Sequence, residues 1–344
     1  MKTAEKIITV GDDKYHYNAG YYAQNKWADN DTLILDRAEN EVVGNIQPKG
    51  EKIYETVKYS LKDGSIDVLA RTRSMYSNVT YGNKVFYCDE NRLNSIELES
   101  GRKRIVYEYP GKEWLGMPHI TADGKYINMS AGNKIVVVDS ETGAGGVVFS
   151  KSFNDPFPVA NHFMICPTDS NIIYFAHEGN TFYVSNRLWL VNIREQKAWN
   201  LAKQNLDKDG NLGDCFGHEA WAPDGKGMYF VKYPCSPTPP RGICYVDRES
   251  GRHEVLYSKF NYWHVGVSAD GKYLLADTTD TGNDRSEVVV IDRQDGSETC
   301  IDNPRISWVH PCHPHPQMSP GDDKVVYTAL GDNGKICVKT AYLK

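Results

Sequence analysis

Short apolar runs separated by polar turns recur along the whole chain. After Ser268-Ala269-Asp270-Gly271-Lys272 comes the run Tyr273-Leu274-Leu275-Ala276, then polar residues, then Glu287-Val288-Val289-Val290-Ile291-Asp292 and the turn Arg293-Gln294-Asp295-Gly296. The same grammar starts at Ala222-Pro223-Asp224-Gly225-Lys226 and at Thr121-Ala122-Asp123-Gly124-Lys125. Their later strands read Gly242-Ile243-Cys244-Tyr245-Val246-Asp247 and Lys134-Ile135-Val136-Val137-Val138-Asp139. Runs of this length between Asp-Gly or Asn-containing turns predict β-strands, and no stretch shows a convincing helical period.

Weaker copies begin at Ala28, Thr80, Cys166 and Ser319, which places seven anchors at 28, 80, 121, 166, 222, 268 and 319. Units of roughly 40–50 residues with about four strands each are the mark of propeller blades. The pattern therefore predicts an all-β, seven-bladed β-propeller occupying residues 1–344 as one domain. A length prior alone favours about two domains, and the repeats override it. A solenoid fits less well, because neither end carries an atypical polar capping repeat. Beyond Ser319 only two strands remain, Lys324–Leu330 and residues 335–342. The last blade then needs an outer strand, and Ile7-Ile8-Thr9-Val10 is expected to supply it and close the ring, removing an exposed edge.

Composition narrows the function classes. Hydrophobic content of 40% and charged content of 24% are ordinary for a globular protein. A net charge of −6 and the lack of a long basic run argue against nucleic acid as a partner. No apolar run approaches membrane-spanning length, so no membrane partner is expected. The first residues lack the apolar segment of a signal peptide. The eight cysteines are scattered, with no Cys-x-x-Cys pair, and most sit in apolar runs. Together these point to a cytoplasmic protein.

The repeats also assign positions within each blade. Four residues before the anchors lie Gln24, Tyr76, Met117, His162, His218, His264 and His315, on the strand expected to line the central channel. Any one of these histidines would suit a structural role in a core. As a set, four of the chain's ten histidines fall on equivalent positions of four consecutive blades, and such positions converge on one axis. Clustered imidazoles suggest a metal or acid–base chemistry. The densest stretch, Trp308-Val309-His310-Pro311-Cys312-His313-Pro314-His315-Pro316, strengthens the metal reading. On a strand, His313 and His315 would share one face, with Cys312 pointing into the blade. They offer two ligands, His264 of the neighbouring blade a third, and His310 lies close enough for a fourth. Tyr76 and Tyr262, near the axis, are candidates for stacking on sugar faces.

At these residues the chain resembles the oligogalacturonate lyases of polysaccharide lyase family 22. The resemblance is sharpest in His177-Glu178-Gly179 leading to Arg187-Leu188-Trp189-Leu190-Val191, in Gly217-His218-Glu219-Ala220-Trp221, in Trp263-His264, and in His313-Pro314-His315-Pro316. It implies a seven-bladed propeller acting in the bacterial cytoplasm with a divalent metal, usually manganese. It further implies that His264, His313 and His315 are ligands, that His218 is the catalytic base, and that Arg187 is an essential cation, on a connection reaching over the channel mouth. His162 and His177 are weaker candidates for substrate contact. The family pattern has a glutamine ligand where this chain has His310, and an all-imidazole set shifts preference toward zinc, iron or nickel.

The chemistry so implied is β-elimination from an acidic oligosaccharide. The C5 proton of a uronate lies α to the carboxylate and is weakly acidic, so a cation must absorb the developing charge while a neutral imidazole takes the proton. Two other readings stay open at the level of sequence: a non-catalytic propeller holding a structural metal, and a metal-dependent glycan hydrolase.

Overall fold

The structure is a computed structural model, and it describes residues 2–21, 24–39, 53–74, 76–279 and 283–344. Every named element among them is a strand, and the strands form seven antiparallel sheets arranged as a seven-bladed propeller. The innermost strands are Trp27–Asp29, Asn78–Tyr81, Leu115–Ile120, Ala160–Cys166, Phe216–Trp221, Tyr262–Val267 and Gln317–Met318. In the last sheet the outer place is taken by Ala4–Val10, which pairs with Ile336–Leu343 through Ile7↔Ala341, Thr9↔Lys339 and Val10↔Val338.

The strands read as continuous apolar runs because both faces of each blade are buried. Along Lys134–Asp139, Val136 and Val138 enter a cluster shared with the preceding blade, whereas Ile135 and Val137 enter one shared with the next. Leu274 and Ala276 likewise face one neighbour and Leu275 the other. The buried side chains divide into seven such clusters, one at each contact between adjacent blades, so the core is a ring of slabs. Alternation with period two is what lets one strand serve two slabs.

The innermost strands carry a repeated irregularity. Register shifts fall at Gly116/His119, Asn161/Met164, Gly217/Ala220 and Tyr262/His264. Five of the seven axial positions are left-handed: Tyr76, Met117, His162, His218 and His315 have φ between 43° and 57°. Such conformations cost non-glycine residues about 1–3 kcal/mol each. A bulge there breaks the in–out alternation and re-aims the side chain, which is how a pleated strand presents one residue along the axis. In the first blade the chain departs further. His16–Asn18 and Trp27–Asp29 both pair with Thr32–Ala38, and Tyr21, which follows the first of them, lies at the axis.

Candidate metal centre at the propeller axis

Five imidazoles meet at the axis. Ring centroids lie 3.8 Å apart for His218 and His264, 3.9 Å for His264 and His315, and 4.0 Å for His310 and His313. His264 and His313 are 5.6 Å apart, and His313 and His315 6.0 Å. Two overlapping triads bring their ring nitrogens within 4.8 Å of one another: His218, His264, His315 and His310, His313, His315. The expected ligands His264, His310, His313 and His315 fall across the two triads, which share His315, and His218 stands in the first with His264.

The expected strand through His313 and His315 is not formed. The regular inner strand of the last blade is only Gln317–Met318, and residues 307–316 run as turns and irregular chain. Pro311, Pro314 and Pro316 lack the N–H a ladder needs. One link to the sheet survives, Thr328 N donating to Pro314 O at 2.9 Å. The loop is held in place by a tie to the preceding blade, with Cys312 buried as expected.

That tie is Asp277, fully buried on the strand Tyr273–Thr278. Its carboxylate accepts from the backbone N of His264 at 2.9 Å, from Nδ1 of His264 at 2.7 Å and from the backbone N of His315 at 3.0 Å. With Nδ1 protonated toward Asp277, His264 presents the lone pair of Nε2 inward, the arrangement by which carboxylates orient metal-binding imidazoles. Trp263 and Trp308 wall the cluster, the Trp263 ring 4.1 Å from that of His313. A cavity of about 250 Å³ reaches His264 and His315 from the side of the Asp-Gly turns, lined also by Gln24, Gly266, Gln317 and Met318.

Several ring nitrogens here are buried with no hydrogen-bond partner: His218 Nδ1, His264 Nε2, His310 Nδ1, both nitrogens of His313, and His315 Nε2. Buried polar atoms are rarely left so, and a cluster of orphaned imidazole lone pairs fits a divalent cation. Burial, followed by the nearby imidazoles, holds the rings of His218, His310, His313 and His315 neutral. It pushes His310 down to about 4, and His218, His313 and His315 lower as well.

Beside the imidazoles lies a charged group. Arg187 is not on a loop over the mouth; it is 5% exposed and already paired. Its Nε donates to Glu219 Oε1 at 3.0 Å, and its two terminal nitrogens donate to the two oxygens of Glu178 at 3.2 and 3.3 Å. His162 approaches both carboxylates at 3.7 Å. Glu219 is fully buried; burial pushes its carboxyl up, but Arg187 and His162 outweigh that and hold it at about 2. One guanidinium against two carboxylates leaves no spare positive charge. The Tyr21 ring bridges the two halves of the site, 5.0 Å from the ring of His315 and 6.0 Å from that of His162.

Two expected contacts lie elsewhere. Tyr262 is fully buried between blades with its hydroxyl on Glu298, so it offers no face to a sugar. His177 points away from the axis, stacked on Phe153 at 3.7 Å with Nε2 on Phe157 O. Strand alternation sends His177 opposite to Glu178, whereas the bulge between Tyr262 and His264 parts those two. Asp277 and Tyr21 escaped the sequence reading. Asp277 is an acid just after the apolar run Tyr273-Leu274-Leu275-Ala276, and Tyr21 occupies no repeated position.

Fold and site together define a seven-bladed propeller with a multi-imidazole axial centre. A sequence profile described as oligogalacturonate lyase matches residues 77–343. The chain belongs to the oligogalacturonate lyase family. It is 26% identical over 212 residues to an oligogalacturonide lyase of Pectobacterium atrosepticum, and 24% identical over 213 residues to an oligogalacturonate lyase of Dickeya dadantii. Each match covers 57% of this chain, and the chain spans about half, 52%, of each relative. Among solved structures, an oligogalacturonate lyase in complex with manganese superposes with a TM-score of 0.81 at 19% identity. One from Vibrio parahaemolyticus gives 0.76 at 20% identity. Both comparisons cover 99% of this chain and 95% of the other. They share its fold.

Proposed function

We propose that the chain is a metal-dependent lyase that cleaves short oligogalacturonides by β-elimination, leaving a 4,5-unsaturated uronate. The observation that carries this is the cluster of orphaned, neutral imidazole nitrogens beside the Arg187–Glu219–Glu178 group. A structural metal needs only its ligands, so His218 and the charged group are surplus unless something is turned over. The family assignment and the manganese found in a structural relative support a divalent cation, most simply Mn²⁺.

In this reading His264, His310, His313 and His315 hold the cation, and Asp277 orients His264. The cation supplies a positive charge against the uronate carboxylate, which acidifies the neighbouring C5–H. His218, half-buried at the edge of the cluster and held neutral, takes that proton. The C5 electron pair forms the C4–C5 double bond, and the C4–O bond breaks with its electrons on the bridging oxygen, which is protonated in turn. No water is consumed. Arg187 acts from a fixed position, because Glu219 and Glu178 hold both sides of its guanidinium; its charge is released to a uronate only as Glu178, the more exposed acid, lets go.

We place the protein in a reducing compartment, on its eight free cysteines. No helix among the described residues is long and apolar enough to cross a membrane. Digalacturonate and trigalacturonate supplied with Mn²⁺ test the lyase reading. Ultraviolet absorbance from the unsaturated product is expected. New reducing ends without that absorbance would indicate hydrolysis instead, and no product from any uronate oligomer would remove the enzyme reading.

A further inference from the structure

Two thiols lie together outside the axial centre. Cys215 is buried just before the strand Phe216–Trp221, and Cys235 is exposed in the connection after Gly227–Lys232. The backbone brings them side by side. Cys215 N donates to Ser236 Oγ at 2.9 Å, Ser236 Oγ donates back to Cys215 O at 3.3 Å, and Tyr233 N donates to Cys215 O at 2.8 Å. These backbone bonds set the two residues side by side, close enough for their thiols to interact. A hairpin that pins residue 215 against residues 233 and 236 leaves little freedom for the side chain of residue 235, and such closeness is the geometric requirement for a disulfide.

The two sulfurs are also unequal. Cys235 is pulled down to about 7, chiefly by the neighbouring Cys215 thiol, whereas the Cys235 thiol and then burial push Cys215 up. An exposed sulfur that ionises near neutral pH, backed by a buried thiol, is the usual division between an attacking and a resolving cysteine. We propose that Cys215 and Cys235 form a reversible disulfide by exchange with a low-molecular-weight disulfide, Cys235 attacking and Cys215 resolving. The Cys235 thiolate attacks one sulfur of the small disulfide and expels the other as a thiolate. Cys215 then loses its proton, attacks the Cys235 sulfur and expels the second small thiol. Two protein thiols are oxidised to one disulfide while one small disulfide is reduced to two thiols.

The position ties this site to the axial one. Cys215 lies three residues before His218, and Asp214 O accepts from Gln204 Nε2 at 2.8 Å. Gln204 Oε1 in turn accepts from the backbone N of Asn186 and Arg187 at 2.8 and 3.0 Å. A bond formed at Cys215 therefore acts on the segment that fixes both Arg187 and the His218 strand.

The test exposes the folded full-length protein to oxidised glutathione, quenches with acid, alkylates and maps the peptides by mass. The expected product is a Cys215–Cys235 linked peptide lighter by two hydrogen atoms and reversed by dithiothreitol. Cys215→Ser should trap glutathione on Cys235, and Cys235→Ser should leave Cys215 unmodified. Cys300 is an internal control: it is exposed, but burial of its sulfur pushes its thiol up, so it should react more slowly. A stable glutathione adduct on wild-type Cys235 without the linked peptide would overturn the proposal, as would modification of Cys300 at the same rate as Cys235. Because the readout is chemical, the outcome is independent of what the axial site turns over.

Discussion

Replacing Asp277 by Asn isolates the group that holds two candidate ligands at once. Asp277 accepts three hydrogen bonds, two from His264 and one from the backbone N of His315. As a carboxylate it is acceptor-only. An asparagine presents one oxygen and one NH₂, so the NH₂ faces either the backbone N of His264 or, turned over, both Nδ1 of His264 and the backbone N of His315. The first orientation loses a backbone bond; the second loses the bond to His315 and drives the His264 proton from Nδ1 to Nε2, which removes the lone pair aimed into the cluster. Loss of such a supporting carboxylate typically weakens metal binding by about 10–100-fold, or about 1.4–2.7 kcal/mol. The assay is a competition titration of Mn²⁺ or Zn²⁺ against a chromophoric chelator, with a thermal melt of both apo-proteins to confirm that Asp277→Asn folds. A folded variant with the wild-type metal Kd would refute the reasoning, because it would show that His264 is oriented by packing alone or is not a ligand.

Other outcomes follow from the same geometry. His218→Ala should lose turnover and keep its metal by elemental analysis, whereas His313→Ala and His315→Ala should lose the metal; metal loss from His218→Ala would make His218 a ligand, which its distance from His264 and His315 permits. Glu219→Ala leaves buried Arg187 with Glu178 alone, and breaking a buried pair of this kind should cost about 3–5 kcal/mol in chemical denaturation; an effect under about 1 kcal/mol would show that the pair is solvated. The apo-protein should lose stability as pH falls below about 6.5, because the unfolded imidazoles bind protons there. In the folded state His218, His310, His313 and His315 are held neutral to lower pH, His310 to about 4. Between its folded and unfolded pKa each such group contributes a slope of up to about 1.4 kcal/mol per pH unit; the stability it carries is complete above the unfolded pKa and is lost toward the folded one. A melting temperature that stays flat between pH 7 and pH 5, on the order of two units, would contradict it. Deleting residues 1–12 exposes the edge of Ile336–Leu343 and should lower the melting temperature sharply; an unchanged melt would show that Ala4–Val10 is dispensable to the ring.

The axial site was legible in outline because the blades repeat. Equivalent positions in a repeat must meet at the axis, so His162, His218, His264 and His315 could be placed together without coordinates. The details that failed are non-local or depend on local departures from the repeat. Tyr262 is two residues before His264, yet the bulge between them sends one ring into a slab and the other to the axis. His177 adjoins Glu178, and alternation parts them. The neutralisation of Arg187 joins residues 178, 187 and 219, whose meeting no spacing in the chain announces. Asp277 supports His315 from 38 positions away.

Number, type and order of the blades were determined by the sequence alone, since turn chemistry and short continuous apolar runs are local and recur seven times. So was the convergence of imidazoles, a consequence of that repetition. Tertiary structure decided which nitrogens are free. The bonds of Asp277, the proline-rich loop that replaces a strand, the insertion of Tyr21 and the pairing of Arg187 all depend on contacts between different blades. Hydrogen bonds and charge compensation across such contacts are set by where side chains end up in space, and the pattern along a single strand carries no record of them.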